Sequence, residues 1–132
     1  MKKKILVNAY FSQNLGDDLF LKVLFDRYPN VDWYLLTSNT KYNGIFKKYK
    51  NVSILKSMSV NFFGIRKIDA FHKINKLLLK YKKYDALLNI GGSIFMEGIG
   101  WEEALIKRRV LPDEFNRLKK KSFIIGANFG PF

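Results

Sequence analysis

Short apolar runs alternate with longer segments of mixed character along this chain of 132 residues. Polar or small residues follow each run, as is typical of strands that are buried on both faces of a sheet. The pattern predicts five strands, at residues 4–10, 31–37, 52–55, 84–90 and 122–127. Because helical segments separate most of these runs, we expect the strands to be parallel and joined by right-handed crossovers.

The segments between the strands show helical spacing of apolar residues. A first helix is expected to be capped by Asp17 or Asp18 and to end at Pro29. Further helices are predicted at residues 45–49, 67–83, 102–109 and 113–121, with the last two separated near Pro112. The chain is therefore expected to be a single α/β domain, residues 1–132, with a Rossmann-like open parallel sheet, helices on both faces and strand order 3-2-1-4-5.

Small and polar residues cluster where the first, fourth and fifth predicted strands end. In open parallel sheets ligands bind beyond the carboxyl ends of the strands, and in this strand order the first and fourth strands are neighbours. Three such clusters on one edge predict a binding surface. Its candidate residues are Asn14, Gly16 and Asp17 after the first strand, Gly91, Gly92 and Ser93 after the fourth, and Asn128 and Gly130 after the fifth.

The chemistry of these clusters leaves alternatives open. The backbone N–H groups of Gly91 and Gly92, with the Ser93 hydroxyl, can hold a phosphate or carboxylate, or can form a tight turn that binds nothing. Asp17 can cap the helix or contact a ligand, whereas Asp18 is interpreted as a first-turn residue favoured by the helix dipole. The glycine spacing matches neither the dinucleotide fingerprint nor a P-loop, which disfavours a nucleotide-dependent redox enzyme.

The other polar residues do not form a catalytic pattern. Glu97, Glu102 and Glu103 are interpreted as residues near a helix start rather than as an acid–base pair. His72 is the only histidine and is interpreted as structural or surface-exposed. The absence of cysteine excludes disulfides and thiolate metal sites, and no metal site is predicted.

The chain carries 24 Lys and Arg against 11 Asp and Glu, a formal net charge of +13. A field of this size attracts phosphates, nucleic acid, anionic lipid or acidic polysaccharide, but a solvated lysine-rich surface produces it as well. Lysines alternate with tyrosines at residues 41–42, 47–50 and 80–84. This pattern keeps a second function open, that of a non-enzymatic basic domain binding a polyanion such as nucleic acid or an anionic glycan.

The amino-terminal segment is not expected to be a signal peptide, because its apolar run breaks at Asn8 and no cleavage site follows. No apolar run approaches the ~20 residues that a membrane span requires. The sequence therefore predicts a cytoplasmic protein, and leaves peripheral association with the inner face of the membrane as an open alternative.

Three segments carry a family resemblance, and they follow the first, fourth and fifth predicted strands. They are Asn14-Leu15-Gly16-Asp17, Asn89-Ile90-Gly91-Gly92-Ser93-Ile94-Phe95 and Ile125-Gly126-Ala127-Asn128-Phe129-Gly130-Pro131-Phe132. Together, and in this order, they resemble the Asn-x-Gly-Asp, glycine-rich and Gly-Pro-Phe motifs of the polysaccharide pyruvyl transferase family. The chain departs from the family in the glycine-rich motif, where many members have three successive glycines.

The resemblance implies the amino-terminal half of a two-domain architecture like that of GT-B glycosyltransferases. It implies transfer of a pyruvyl group from phosphoenolpyruvate, a donor substrate rather than a bound cofactor, to sugar hydroxyls in cell-wall or exopolysaccharide synthesis. The implied partner is a saccharide acceptor, free or lipid-linked, and no specific nucleic acid. The family's catalytic His and Arg residues are expected in a second domain, so no catalytic residue is assigned here. The chain alone is expected to be inactive without that domain or a homo-oligomeric partner.

Overall fold

The computed structural model describes residues 1–9, 11, 13–55, 84–92 and 100–128. The described elements, in chain order, are β1 (Lys3–Ala9), α1 (Leu15–Arg27), β2 (Val31–Leu36), α2 (Tyr42–Ile45), β3 (Val52–Leu55), β4 (Ala86–Ile90), α3 (Trp101–Arg117) and β5 (Lys121–Ile125). The five strands form one sheet in the order β3-β2-β1-β4-β5.

Every pair of neighbouring strands in this sheet is parallel. β1 is the central strand, and its Val7 lies opposite Leu35 of β2 and Leu88 of β4. Successive apolar residues suit such a strand because both of its faces are covered. The predicted α/β class and strand order are confirmed, and each predicted strand agrees with the structure to within two residues at either end.

Alternate side chains of the strands build a separate core on each face of the sheet. On one face α1 and α2 pack against the strands, and the ring centroids of Phe25 in α1 and Trp33 in β2 are 5.6 Å apart. On the other face Phe115 of α3 is fully buried with Leu6 and Leu87. Described helices therefore cover both faces, as the sequence predicts.

The carboxyl-terminal half of the chain corrects one helix prediction. Residues 102–109 and 113–121 were expected to form two helices separated near Pro112, but a single helix, α3, spans both, with Pro112 inside it. Leu111 and Phe115, four residues apart, are both buried against the sheet. Their shared packing continues the helix through a residue that cannot donate the usual backbone hydrogen bond.

Two further predictions about helix positions are wrong. The short helix expected at residues 45–49 lies earlier, at Tyr42–Ile45, because the Asn39 side chain accepts a hydrogen bond from the Lys41 N–H and turns the chain there. The first helix is capped neither by Asp17 nor by Asp18 but by Asn14, whose side chain accepts a hydrogen bond from the Gly16 N–H.

Several sequence predictions lie outside the described residues, among them the helix at 67–83, His72, Ser93 and Gly130. Within the described ranges, no helix is both long enough and apolar enough to cross a membrane.

Candidate functional site

The candidate site lies at the carboxyl edge of the sheet, where β1 and β4 are neighbours. The chain leaves β1 through α1 towards β2 on one side, whereas it leaves β4 through α3 towards β5 on the other. In open α/β sheets, ligands bind at the edge where the connections of neighbouring strands diverge in this way. The strand order therefore brings the segment around Asn14 near the segment around Gly91.

The segments after β4 and β5 are joined by backbone hydrogen bonds. The Asn128 N–H donates to the Gly92 carbonyl at 2.9 Å, and the Gly91 N–H donates to the Ile125 carbonyl at 3.4 Å. Gly91, which is buried, and the more exposed Gly92 and Asn128, which the sequence assigns to two separate clusters, thus belong to one hydrogen-bonded unit.

Gly126 brings this unit into contact with α1. Its φ of +64° lies in the left-handed region that favours glycine. A Cβ at this position would lie 3.8 Å from the Phe20 ring of α1 and 3.9 Å from the Gly91 carbonyl oxygen. The Phe20 ring therefore lies beside Gly126, and α1 links this turn to the first cluster, which lies at the start of the same helix.

The cluster after β1 stabilises the start of α1 and is also a candidate for ligand binding. Asn14 accepts a hydrogen bond from the Gly16 N–H at 3.0 Å through its side chain, and its carbonyl accepts one from the Asp18 N–H at 3.0 Å. Asp17 is half-buried in the first turn of α1 and is not the cap. Of the two roles that the sequence leaves open for Asp17, capping is excluded and ligand contact remains.

The segment before Asn14 is tied to the connection between β2 and α2. The Gln13 N–H donates to the Tyr42 hydroxyl at 2.8 Å, and the Lys41 ammonium donates to the Gln13 side chain at 3.3 Å. Gln13 itself has a φ of 60°, an uncommon backbone conformation for a residue other than glycine. These contacts hold a strained residue beside the start of α1, which fixes where Asn14 begins the helix.

Tyr42 links this segment to a buried carboxylate. Burial raises the pKa of Tyr42 to about 12, the hydrogen bond from Gln13 lowers it, and the Asp18 carboxylate, a hydrogen-bond partner of the hydroxyl, raises it again. Asp18 is only 9% exposed, and its Oδ1 has no hydrogen-bond partner within the described part of the chain. The sequence places Asp18 correctly in the first turn of α1 but does not predict that its side chain is buried.

A pair of amides also lies at this edge and was missed as a pair. Asn8 and Asn89 are opposite each other in β1 and β4, and Asn8 Nδ2 donates to Asn89 Oδ1 at 3.0 Å. Asn89 is buried, and its amide nitrogen has no partner among the residues that the structure describes. The signal was present in the sequence, because each asparagine is the one polar residue near the end of an apolar run.

The arrangement can bind a polar ligand through several kinds of group. It offers amide side chains, the Asp17 carboxylate and the backbone of a glycine-containing surface, which suits hydroxyl-rich or anionic molecules. No group of three or more His, Cys, Asp or Glu residues that could hold a metal ion is found in the described ranges.

Comparison with known proteins gives no match: no protein-family model, no curated protein and no solved structure resembles this chain significantly.

Proposed function

We propose that this chain is a polysaccharide pyruvyl transferase-like domain that binds the saccharide acceptor. In this proposal it forms one half of a GT-B-like two-domain architecture, and the donor-binding and catalytic residues belong to the other half. The acceptor is a cell-wall or exopolysaccharide precursor, free or attached to a lipid carrier. Candidate acceptor-binding residues are Asn14, Gly16, Asp17, Gly91, Gly92, Ser93, Asn128 and Gly130.

The observation that carries this proposal is the meeting of the three motif segments at one edge. The hydrogen bond from Asn128 to Gly92 joins two of them, and α1, which begins at the third, has its Phe20 ring beside Gly126. Every segment that follows a strand of this parallel sheet lies at the same edge, so the shared edge meets the first requirement for a common ligand, and the hydrogen bond between two of the segments adds to it. The convergence supports one common ligand. The resemblance of the motifs to those of the polysaccharide pyruvyl transferase family favours a saccharide as this ligand.

The reaction itself needs two hydroxyl groups of one sugar. One hydroxyl oxygen adds to the central carbon of phosphoenolpyruvate while a proton goes to the terminal CH₂ group, which becomes a methyl group. The second hydroxyl oxygen then displaces phosphate and loses its proton, which gives a cyclic ketal and inorganic phosphate. A site on this chain would hold the sugar so that both hydroxyls face the donor.

The polyanion-binding alternative is weaker at the lysine–tyrosine segment of residues 47–50. The Lys48 ammonium lies 4.7 Å from the centre of the Tyr49 ring, and this ring also packs against Phe25 at 5.2 Å. A ring that contacts the core and a neighbouring cation is poorly placed to stack on a nucleic-acid base. We therefore keep this function as the second candidate.

Asp17 provides the test of the proposed acceptor site. Titration calorimetry would compare the chain with its Asp17→Asn and Asp26→Asn variants, using methyl glycosides of glucose, galactose and mannose and the corresponding hexose 1-phosphates. Asp26 is the matched control because it is an exposed carboxylate near the other end of α1. We expect Asp17→Asn to weaken binding of the neutral methyl glycosides by about tenfold, since the uncharged amide that replaces the carboxylate accepts a weaker hydrogen bond.

Asp26→Asn should bind like the unchanged chain. Equal affinities for all three proteins would contradict the assignment of Asp17. Binding of single-stranded RNA with steep salt dependence, without saccharide binding, would favour the second candidate.

A further inference from the structure

The two long described helices carry acidic residues at their starts and basic residues at their ends. α1 has Asp17 and Asp18 in its first turn and Arg27 in its last turn. α3 has Glu102 and Glu103 in its first turn and Arg117 in its last turn. Each arrangement complements the helix dipole. Taken helix by helix, this is an ordinary stabilising preference.

In this fold, the same preference places the basic helix ends at one edge of the sheet. Parallel strands all begin at one edge, and the helices that connect them run back to it, so helix ends and strand starts share that edge. We call it the amino edge, opposite the carboxyl edge that holds the candidate site. Its basic residues are Lys2, Lys3 and Lys4 at β1, Lys50 before β3, Lys119, Lys120 and Lys121 at β5, and Arg27 and Arg117 at the helix ends.

Carboxylates at the amino edge offset only part of this charge. Asp85 Oδ2 accepts a hydrogen bond from the Lys4 N–H at 2.7 Å, and Asp85 Oδ1 lies 3.4 Å from the Lys3 ammonium. The backbone hydrogen bond is the main cause that lowers the pKa of Asp85. Asp32 lies opposite Lys4 in the neighbouring strand, and Glu114 pairs with Arg117 at 2.6 Å. Lys2, Lys119 and Lys121 are exposed and extend the positive charge beyond these carboxylates.

We propose that the amino edge is a docking surface for an anionic lipid bilayer. Lysines dominate it, and a lysine near an anionic membrane surface contributes attraction without needing a specific geometry. Nucleic-acid recognition makes greater use of arginine, with its bidentate contacts, and of stacking aromatic rings. Met1 beside β1 and Tyr28 at the end of α1 are exposed next to this edge, and both suit the membrane interface.

Docking in this way leaves the candidate site accessible. The strands are 4 to 7 residues long, so the carboxyl edge lies about 15–20 Å from the bilayer surface when the amino edge rests on it. Docking of the amino edge depends only on the charge distribution and the fold, and it does not require pyruvyl transfer.

Vesicle sedimentation tests the docking surface directly. The chain would be mixed with vesicles of phosphatidylcholine alone or with about one third phosphatidylglycerol, the anionic lipid that supplies the attraction. One variant combines Lys2→Gln, Lys119→Gln and Lys121→Gln. Its control combines Lys22→Gln, Lys41→Gln and Arg109→Gln, which remove the same formal charge away from the amino edge. We expect the amino-edge variant to lose about 100-fold in affinity for anionic vesicles.

The control should lose far less than the amino-edge variant, and the amino-edge variant should unfold at the denaturant midpoint of the unchanged chain. Equal losses would overturn the proposal, because net charge alone would explain them. The absence of any preference for anionic vesicles would overturn it too. Tighter binding of single-stranded RNA through the same lysines would also overturn the proposal, and would identify nucleic acid as the ligand of the amino edge.

Discussion

Tyr42 and Tyr84 are both fully buried, but their hydroxyl groups differ in their surroundings. The Tyr42 hydroxyl accepts a hydrogen bond from the Gln13 N–H and has the Asp18 carboxylate as a second partner. The Tyr84 hydroxyl has no hydrogen-bond partner within the described part of the chain. At the residue scale, therefore, the Tyr42 hydroxyl helps to position the start of α1 at the candidate site, whereas the Tyr84 hydroxyl makes no described hydrogen bond.

Replacement of each tyrosine by phenylalanine measures this difference. Tyr42→Phe should lower the free energy of unfolding by about 1–3 kcal/mol, because it leaves a backbone N–H and a buried carboxylate without their partner. Tyr84→Phe should leave it unchanged or raise it, because the hydroxyl it removes has no partner among the described residues. Urea unfolding of both variants checks the prediction, and equal losses would contradict it.

The same two tyrosines predict a loss of stability in alkali. Burial is the main cause that raises the pKa of both from 10.0 to about 12 in the folded chain. Above pH 10 the unfolded chain releases these protons and the folded chain keeps them, so the stabilising effect is complete below pH 10 and is lost as the pH rises towards 12. Unfolding free energies measured across this range should fall less steeply for Tyr84→Phe than for the unchanged chain. Parallel curves would contradict the assignment.

The helix cap and the burial of Asp18 could not be predicted from the sequence. Composition and position favour Asp17 or Asp18 as the helix cap, but capping depends on which side chain reaches a free N–H, and Asn14 does so. Whether Asp18 is buried depends on the position of Tyr42, 24 residues further along the chain. A local pattern contains no information about such a contact.

At the scale of elements, the strands were predictable because their signal is local. A short apolar run ended by small or polar residues marks each strand of a sheet that is covered on both faces. The helix α3 was predicted wrongly because Pro112 is a strong local signal for a break. The buried pair Leu111 and Phe115 outweighs that signal through tertiary packing, which the local pattern does not show.

The turn after β5 carries a prediction about the candidate site. Gly126→Ala should lower the free energy of unfolding by about 1–2 kcal/mol, because alanine is strained at a positive φ. The added methyl group would make only ordinary contact with Phe20, at 3.8 Å, so the loss comes from the backbone.

Gly92→Ala is the matched control for this change. A Cβ at Gly92 would meet no atom within 4 Å, and Gly92 is not among the glycines with positive φ in the described ranges. Thermal unfolding should therefore show little change for Gly92→Ala and a lower melting temperature for Gly126→Ala. A loss of the same size for both would mean that backbone strain at Gly126 is not the cause.

At the scale of the whole molecule, the order of the strands decides which residues meet. The order β3-β2-β1-β4-β5 agrees with the common doubly wound order that was assumed for the predicted parallel sheet, and it brings Asn14 towards Gly91. The same topology collects the basic helix ends and strand starts at the amino edge. The amide pair of Asn8 and Asn89 was not foreseen, because it requires the register of β1 against β4 as well as the order.

The central claim is that the carboxyl edge, where the three motif segments meet, binds a saccharide. A nitrogen-15 NMR titration of this 15.5 kDa chain with methyl galactoside tests it most directly, since a neutral sugar is not attracted by net charge alone. We predict that chemical-shift changes concentrate at the amides of Asn14, Gly16, Gly91, Gly92 and Asn128. Chemical-shift changes confined to the amino edge, or no changes at high sugar concentrations, would contradict the account.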